Sequence, residues 1–230
     1  MSTQPPLSKS SSAARKAAGP GRPKDMGKRT AILDAAKQLF ALGGFADVSM
    51  DRIANEAGVS KLTIYSHFGD KEALFSEALR LQCEEMLPDD LFQINLNDTV
   101  QDQLKVIGRT FFDVSSNDAA LSVHRIMLGH GNADGSLKRI FWEAGPERIY
   151  EVFSQFLQGW IDNGALDIPD ITRAASQFFS LIKGDLHSRL MCKLCEQPSD
   201  EEIDAHIEAT VSFFLRAYAP RIASGDKART

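Results

Sequence analysis

"GVSKLTIYSHFGDKEALF", residues 58–75, decides how this 230-residue chain folds. Gly58 is a natural stop for one helix, and Ser60 offers a hydroxyl to cap the next. That next helix, roughly Lys61 to Phe68, is barely two turns long. Ile64 and Phe68 sit four apart on one of its faces and dock it on its neighbours. Around these few anchors crowd Lys61, Thr63, Tyr65, Ser66, His67 and Lys71. A helix that only built a core has no use for so many donors; one that meets a polyanion does. Asp70 can then cap a further helix whose Leu74, Phe75, Ala78 and Leu79 form a new apolar stripe.

Upstream the same grammar repeats. "KRTAILDAAKQLFALGGF" (28–45) places Ile32, Ala35, Ala36, Leu39 and Phe40 on one face, and Gly43-Gly44 stops it. "SMDRIANEAG" (49–58) has Ser49 at the cap, Asp51 in the positive first turn, and Met50, Ile53, Ala54 and Ala57 as its stripe. Three short helices with a Gly-containing turn between the second and third make a helix-turn-helix, whose second helix enters the major groove. Leu62, Thr63, Ser66 and His67 face largely away from Ile64 and Phe68, as groove and phosphate contacts should.

In these residues the run from Lys28 to about Leu81 resembles the DNA-binding domain of the tetracycline-repressor (TetR) family of bacterial transcription regulators. The matching pieces are "AILDAAKQLFALGGF", "SMDRIANEAGVSK" and "TIYSHFGDKEALF", ending on Tyr65, His67, Phe68 and Lys71. The resemblance implies a homodimer whose paired helices read a palindromic operator in double-stranded DNA, with a helical C-terminal domain that senses a small molecule. Repression is the family default. Carried over by position, Thr63, Tyr65 and His67 match residues that meet bases or nearby phosphates, and Lys71 matches a phosphate-contacting lysine. Ser49, Met50 and Arg29 match positions that meet the DNA backbone, and the Lys61 ammonium suits a phosphate equally well. Many relatives carry Gly where this chain has Leu62, whose side chain either presses on a thymine methyl or packs on Ser66 and the groove wall.

Charge agrees with this division. Residues 1–72 hold eleven Lys/Arg and seven Asp/Glu, a net +4, whereas residues 73–230 carry −9. A basic front on an acidic body expects a polyanion at the front only. Residues 1–27 are rich in Ser, Pro, Gly, Ala and Lys/Arg and read as a disordered basic arm. Within it, "GPGRPKD" sets Arg22 in an extended context like that of a minor-groove hook, or serves as a solubilising tail. The DNA-binding domain is expected over 28–82, an effector and dimerisation domain over 83–220, and a flexible tail over 221–230. No apolar run approaches the roughly 18–20 residues of a membrane helix, and no secretory signal is evident. Three cysteines in such a chain fit reduced cytoplasm.

The rest of the chain reads as helices without strand alternation, giving an all-α fold. Expected spans are Thr99–Val114, Ala119–Leu128, Leu137–Trp160, Ile171–Leu194 and Glu201–Tyr218, with Pro146 kinking or restarting the third. "DGSLKRIFWEAGPERIYEVFSQFLQGWIDNG" and "ITRAASQFFSLIKGDLHSRLMCKL" resemble an AefR-like ligand-sensing domain. Candidate effector-pocket residues are Phe111, His124, Met127, Phe141, Trp142, Phe153, Lys183 and His187. Phe178, Phe179 and Ile182, with Ile203, Ile207, Val211, Phe214 and Tyr218, form two apolar stripes that either pack within the chain or, as the resemblance implies, build a dimer interface. "CKLC" (Cys192, Cys195) lacks the second cysteine pair of a zinc site and is expected to share one helix face. Asp185, His187 and Ser188 are too close along one helix to converge as a triad. No catalytic residue, metal or cofactor is therefore expected, and the chain does not read as an enzyme.

Overall fold

The computed structural model describes residues 25–129 and 135–220, with backbone alone for 126–129 and 136. Arg22, the rest of the basic arm up to residue 24, and the 221–230 tail lie outside the described residues.

The N-terminal unit follows from four caps. Asp25 caps α1 (Met26–Asp47), which starts two residues before the expected Lys28 because the Asp25 carboxylate accepts from the Gly27 and Lys28 amides. The Ser49 hydroxyl caps α2 (Met50–Glu56), Ser60 caps α3 (Lys61–Phe68) and Asp70 caps α4 (Lys71–Met86), each accepting one backbone N–H of the first turn. Gly44, Gly58 and Gly69 take positive φ at the breaks, a region closed to most side chains. Ile32, Ala36, Leu39, Phe40, Ile53, Ile64, Leu74 and Phe75 form the shared core. Ile64 is the one fully buried residue of α3, and its burial contributes about 1.5–3 kcal/mol to holding that helix in place.

α4 runs without a break past the expected boundary at 82/83. Among the described residues the C-terminal body comprises a short 3₁₀ turn (Asp89–Phe92) and six helices: α5 (Val100–Ser116), α6 (Asp118–Gly129), α7 (Gly135–Trp142), α8 (Arg148–Asp162), α9 (Ile171–Met191) and α10 (Asp200–Tyr218). The single helix expected over Leu137–Trp160 is two helices joined by a π-helical turn at Glu143–Glu147. Pro146 is the cause, since it has no N–H to give the ladder and its ring crowds the preceding turn.

The body is closed by an aromatic core. Phe153 stacks on Phe178 with centroids 4.7 Å apart, and Phe178 meets Phe214 edge-on at 5.2 Å, joining α8, α9 and α10. Outside this core Arg109 of α5 holds Asp200 at 2.5 Å and Asp204 at 2.7 Å on α10. α9 is not straight: Gly184 has φ 50°, and the His206 ring occupies the space a side chain there would need, with Nε2 2.8 Å from the Ile182 carbonyl. The two units touch through α4 and α7, whose Leu137 and Ile140 pack on the N-terminal core.

Candidate nucleic-acid interface and central cavity

α3 turns Ile64 inward and presents an open outer surface. Leu62 stands out from it at 78% exposure, a large apolar side chain with nothing to cover it. Lys61, Tyr65 and Ser66 are exposed beside it. Lys61 Nζ lies 2.9 Å from Asp51, which draws the first turns of α2 and α3 together and raises the lysine's pKa through that hydrogen bond. Ser49, exposed at the start of α2, uses its hydroxyl as a cap for the Arg52 amide at 3.2 Å. Thr63 is half-buried with its hydroxyl 2.8 Å from that of Ser60. His67 is also half-buried, and its Nδ1 has no partner among the described residues.

Three expected contacts are committed elsewhere. Met50 is 6% exposed and packs in the N-terminal core, because the same stripe that contains Ile53 and Ala54 carries it inward, away from any phosphate. Arg29 pairs with Glu77 at 2.5 Å and lies 5.2 Å over the Phe68 ring, tying α1 to α4 and to the end of α3. That guanidinium holds the Glu77 carboxyl below its ordinary pKa. Lys71 sits 4.3 Å over the Phe45 ring, so its ammonium also has a partner within the chain.

Between the two units lies a cavity of about 290 Å³. Its walls come from both sides. Lys37, Phe40 and Ala41 of α1 with Phe75, Ala78, Leu79, Gln82, Cys83 and Met86 of α4 form one wall. Phe111, Val114, Val123, His124, Phe141, Ile149, Tyr150 and Lys183 form the other. Four expected pocket residues, Phe111, His124, Phe141 and Lys183, are thus brought together. His187 stands directly behind them, 9% exposed, with its ring 6.0 Å from that of His124. Trp142 and Phe153 do not line the cavity: Trp142 is 49% exposed and leans edge-on against Tyr150, and Phe153 is fully buried in the aromatic core. The Met127 side chain lies outside the described residues. Arg125, beside the cavity helix face, donates to the Leu190 and Met191 carbonyls and closes the end of α9.

The bases around this cavity are poorly solvated. Burial lowers the pKa of Lys183 and of His124, which Lys183 also opposes. His187 is pushed down to about 4, first by burial and then by Lys183 and His124. Burial raises the Tyr150 phenol and the Cys83 thiol. Lys37 differs from Lys183, since Glu85 at 2.5 Å and Asp34 at 3.4 Å neutralise it. The residues that could have suggested chemistry do not converge: Asp185 pairs with Arg189 at 3.6 Å and Ser188 donates to the Gly184 carbonyl at 3.1 Å. α9 ends at Met191, so Cys192 and Cys195 follow the helix rather than share a face of it. Among the described residues no cluster of His, Cys, Asp and Glu could hold a metal.

The two apolar stripes of α9 and α10 turn inward. Phe178, Phe179, Ile182, Ile203, Ile207, Val211 and Phe214 are all buried in the chain's own core, which leaves them no surface for a partner. Tyr218 is half-buried and donates to Gln177 at 2.7 Å. The outer faces of the same helices carry Leu181 at 37% and Phe213 at 55% exposure, with Ala209 and Ala217 one turn either side of Phe213.

Residues 32–78 match the family described as bacterial regulatory proteins, tetR family, and residues 102–220 match the AefR-like transcriptional repressor C-terminal domain. The chain belongs to the TetR family. The flavonoid-responsive regulator FrrA, of known structure, is 34% identical over 84% of this chain and 98% of its own, with a TM-score of 0.70. A TetR-family regulator from Mesorhizobium loti MAFF303099 is 26% identical over 84% of this chain and 96% of its own, at a TM-score of 0.68. Among curated proteins, the HTH-type transcriptional regulator SrpR of Pseudomonas putida is 24% identical over 72% of this chain and 76% of its own. YdeS of Bacillus subtilis is 41% identical, but the match spans only 30% of this chain and 34% of YdeS. This TetR-family chain is accordingly a helix-turn-helix transcriptional regulator and not an enzyme. No helix among the described residues is long and apolar enough to cross a membrane.

Proposed function

We propose that this TetR-family regulator is a cytoplasmic repressor that binds a palindromic operator as a homodimer and is released by a small molecule. The observation that carries the release is the composition of the cavity wall. α4 lines the cavity from Phe75 to Met86, while its capped N-terminus follows α3 directly. A molecule that fits only one placement of α4 biases the placement of α3, which is a population shift with a structural route. FrrA, described as flavonoid-responsive, supports a small-molecule effector at this level of similarity.

On the DNA side, Lys61, Leu62, Thr63, Tyr65 and His67 of α3, with Ser49 of α2, form the contact surface of each protomer. Two such helices must lie about 34–36 Å apart to enter successive major grooves. Arg29 and Lys71 contribute positive potential from their intramolecular sites, and Met50 supports the surface from beneath. The outer faces of α9 and α10, led by Phe213 and Leu181, meet their counterparts across the dimer axis.

The test is fluorescence anisotropy of the purified chain on DNA flanking its own gene, over a salt series, against scrambled DNA. The expected result is a dimer-stoichiometric preference for the native fragment that weakens steeply with salt. Equal affinity for both fragments across all flanking DNA defeats the reading.

A further inference from the structure

We infer that the effector is an apolar weak acid whose anionic group is received by Lys183 in the wall of the cavity. This rests on the reading of the cavity as the effector site and adds the chemistry of what enters it.

The cavity is walled largely by hydrocarbon and aromatic rings, among them Phe40, Phe75, Phe111, Phe141 and Ile149. Such walls select an apolar body, and about 290 Å³ is at the small end of ligand sites, which run from about 300 to 1,000 Å³. Against this apolar lining Lys183 is half-buried, with its Nζ 5.7 Å from the Phe111 ring centre and no carboxylate or carbonyl bonded to it among the described residues. His124 reaches the same cavity with a buried Nδ1 that has no partner among the described residues, and His187 behind it has a buried Nε2 likewise unpartnered among them. Among the cavity's described residues there is no Asp or Glu, and the one other cation, Lys37, already has Glu85 and Asp34.

Lys183 and His124 therefore meet at the cavity with His187 behind them, and no carboxylate among the described lining residues balances them. A buried polar group without a partner is costly, and a charged one more so. Burial accordingly lowers the basicity of all three groups. A ligand carboxylate or phenolate supplies the Lys183 ammonium with a counter-charge and an acceptor together. A neutral alcohol of the same shape fills the apolar space and can hydrogen-bond there, but it supplies no charge to set against the Lys183 ammonium. A cationic one meets like charge.

Calorimetric titration of the full chain separates these cases with two matched pairs of probes: decanoate against 1-decanol, and biphenyl-4-carboxylate against biphenyl-4-methanol. At least one acid is expected to bind tenfold or more tightly than its alcohol. Lys183→Met should erase that preference by weakening the acid about tenfold while changing the alcohol less than twofold, and Lys183→Arg should keep it. The acid-to-alcohol ratio on the unaltered chain stands as a test even where Lys183→Met fails to fold. Alcohols that bind as tightly as their acids overturn the anionic class and leave the effector cavity intact. Binding by none of the four probes to a folded chain overturns the cavity reading along with it.

Discussion

Leu62 is the residue whose role is most its own. At 78% exposure on α3 it contributes little to folding, so Leu62→Ala should leave stability within about 0.5 kcal/mol. Its effect belongs on DNA: discrimination at a single T·A pair should fall by about 1 kcal/mol, measured by anisotropy on operator variants. A uniform loss across all variants would instead mean that Leu62 packs on the groove wall. His187 carries a prediction in pH. Its folded pKa of about 4 lies below its ordinary 6.5, so the unfolded chain takes up the proton first as pH falls. The stability linked to this group is intact above about pH 6.5 and is lost progressively toward pH 4. His187→Asn should therefore lose less melting temperature than the parent chain over that window, as followed by circular dichroism. At this scale the sequence was a good guide to donors and a poor one to their availability. Arg29 and Lys71 were legible as cations at the right positions, but the Glu77 and Phe45 that occupy them come from elsewhere in the fold.

The elements were the most legible level. Ser49, Ser60 and Asp70 were each readable as caps because a cap is a local event, settled within three or four residues. The π-turn at Glu143–Glu147 was half legible: Pro146 announced a disruption without saying which form it takes. The bend in α9 was not readable at all, since its cause is His206, twenty-two positions past Gly184 in sequence. Gly184→Ala should cost about 1–3 kcal/mol, because an added Cβ both strains a φ of 50° and stands 2.8 Å from the His206 ring. Gly44→Ala has a similar φ of 68° but open space around it, so its loss should be the smaller of the two in thermal melts. Equal losses would show that backbone strain alone sets the cost and that the histidine contact adds nothing.

For the whole molecule, the apolar stripes of α9 and α10 illustrate what patterning leaves undecided. Periodicity identifies an apolar face, but a core and an interface are made from the same residues, and here the core has taken Phe178, Ile182, Ile207 and Phe214. What remains for a second copy is Phe213 and Leu181. Phe213→Asp should convert the proposed dimer to monomer in size-exclusion light scattering, with a shift of at least 2 kcal/mol in association and an unchanged far-ultraviolet spectrum. A dimer that persists would place the interface on another face. The cavity was legible only in part for a related reason: a void is defined by side chains that fail to meet, and no single segment records that failure. Its shared wall sets terms for how such a protein diversifies. Substitutions at Val123, Phe141 or Tyr150 retune the cavity from one side, whereas those at Phe40, Phe75 or Leu79 also alter the core on which α3 rests. A lineage acquiring a new signal is thus freer to vary α6 to α9 than α1 and α4, and mutational tolerance across the lining should be split along that line.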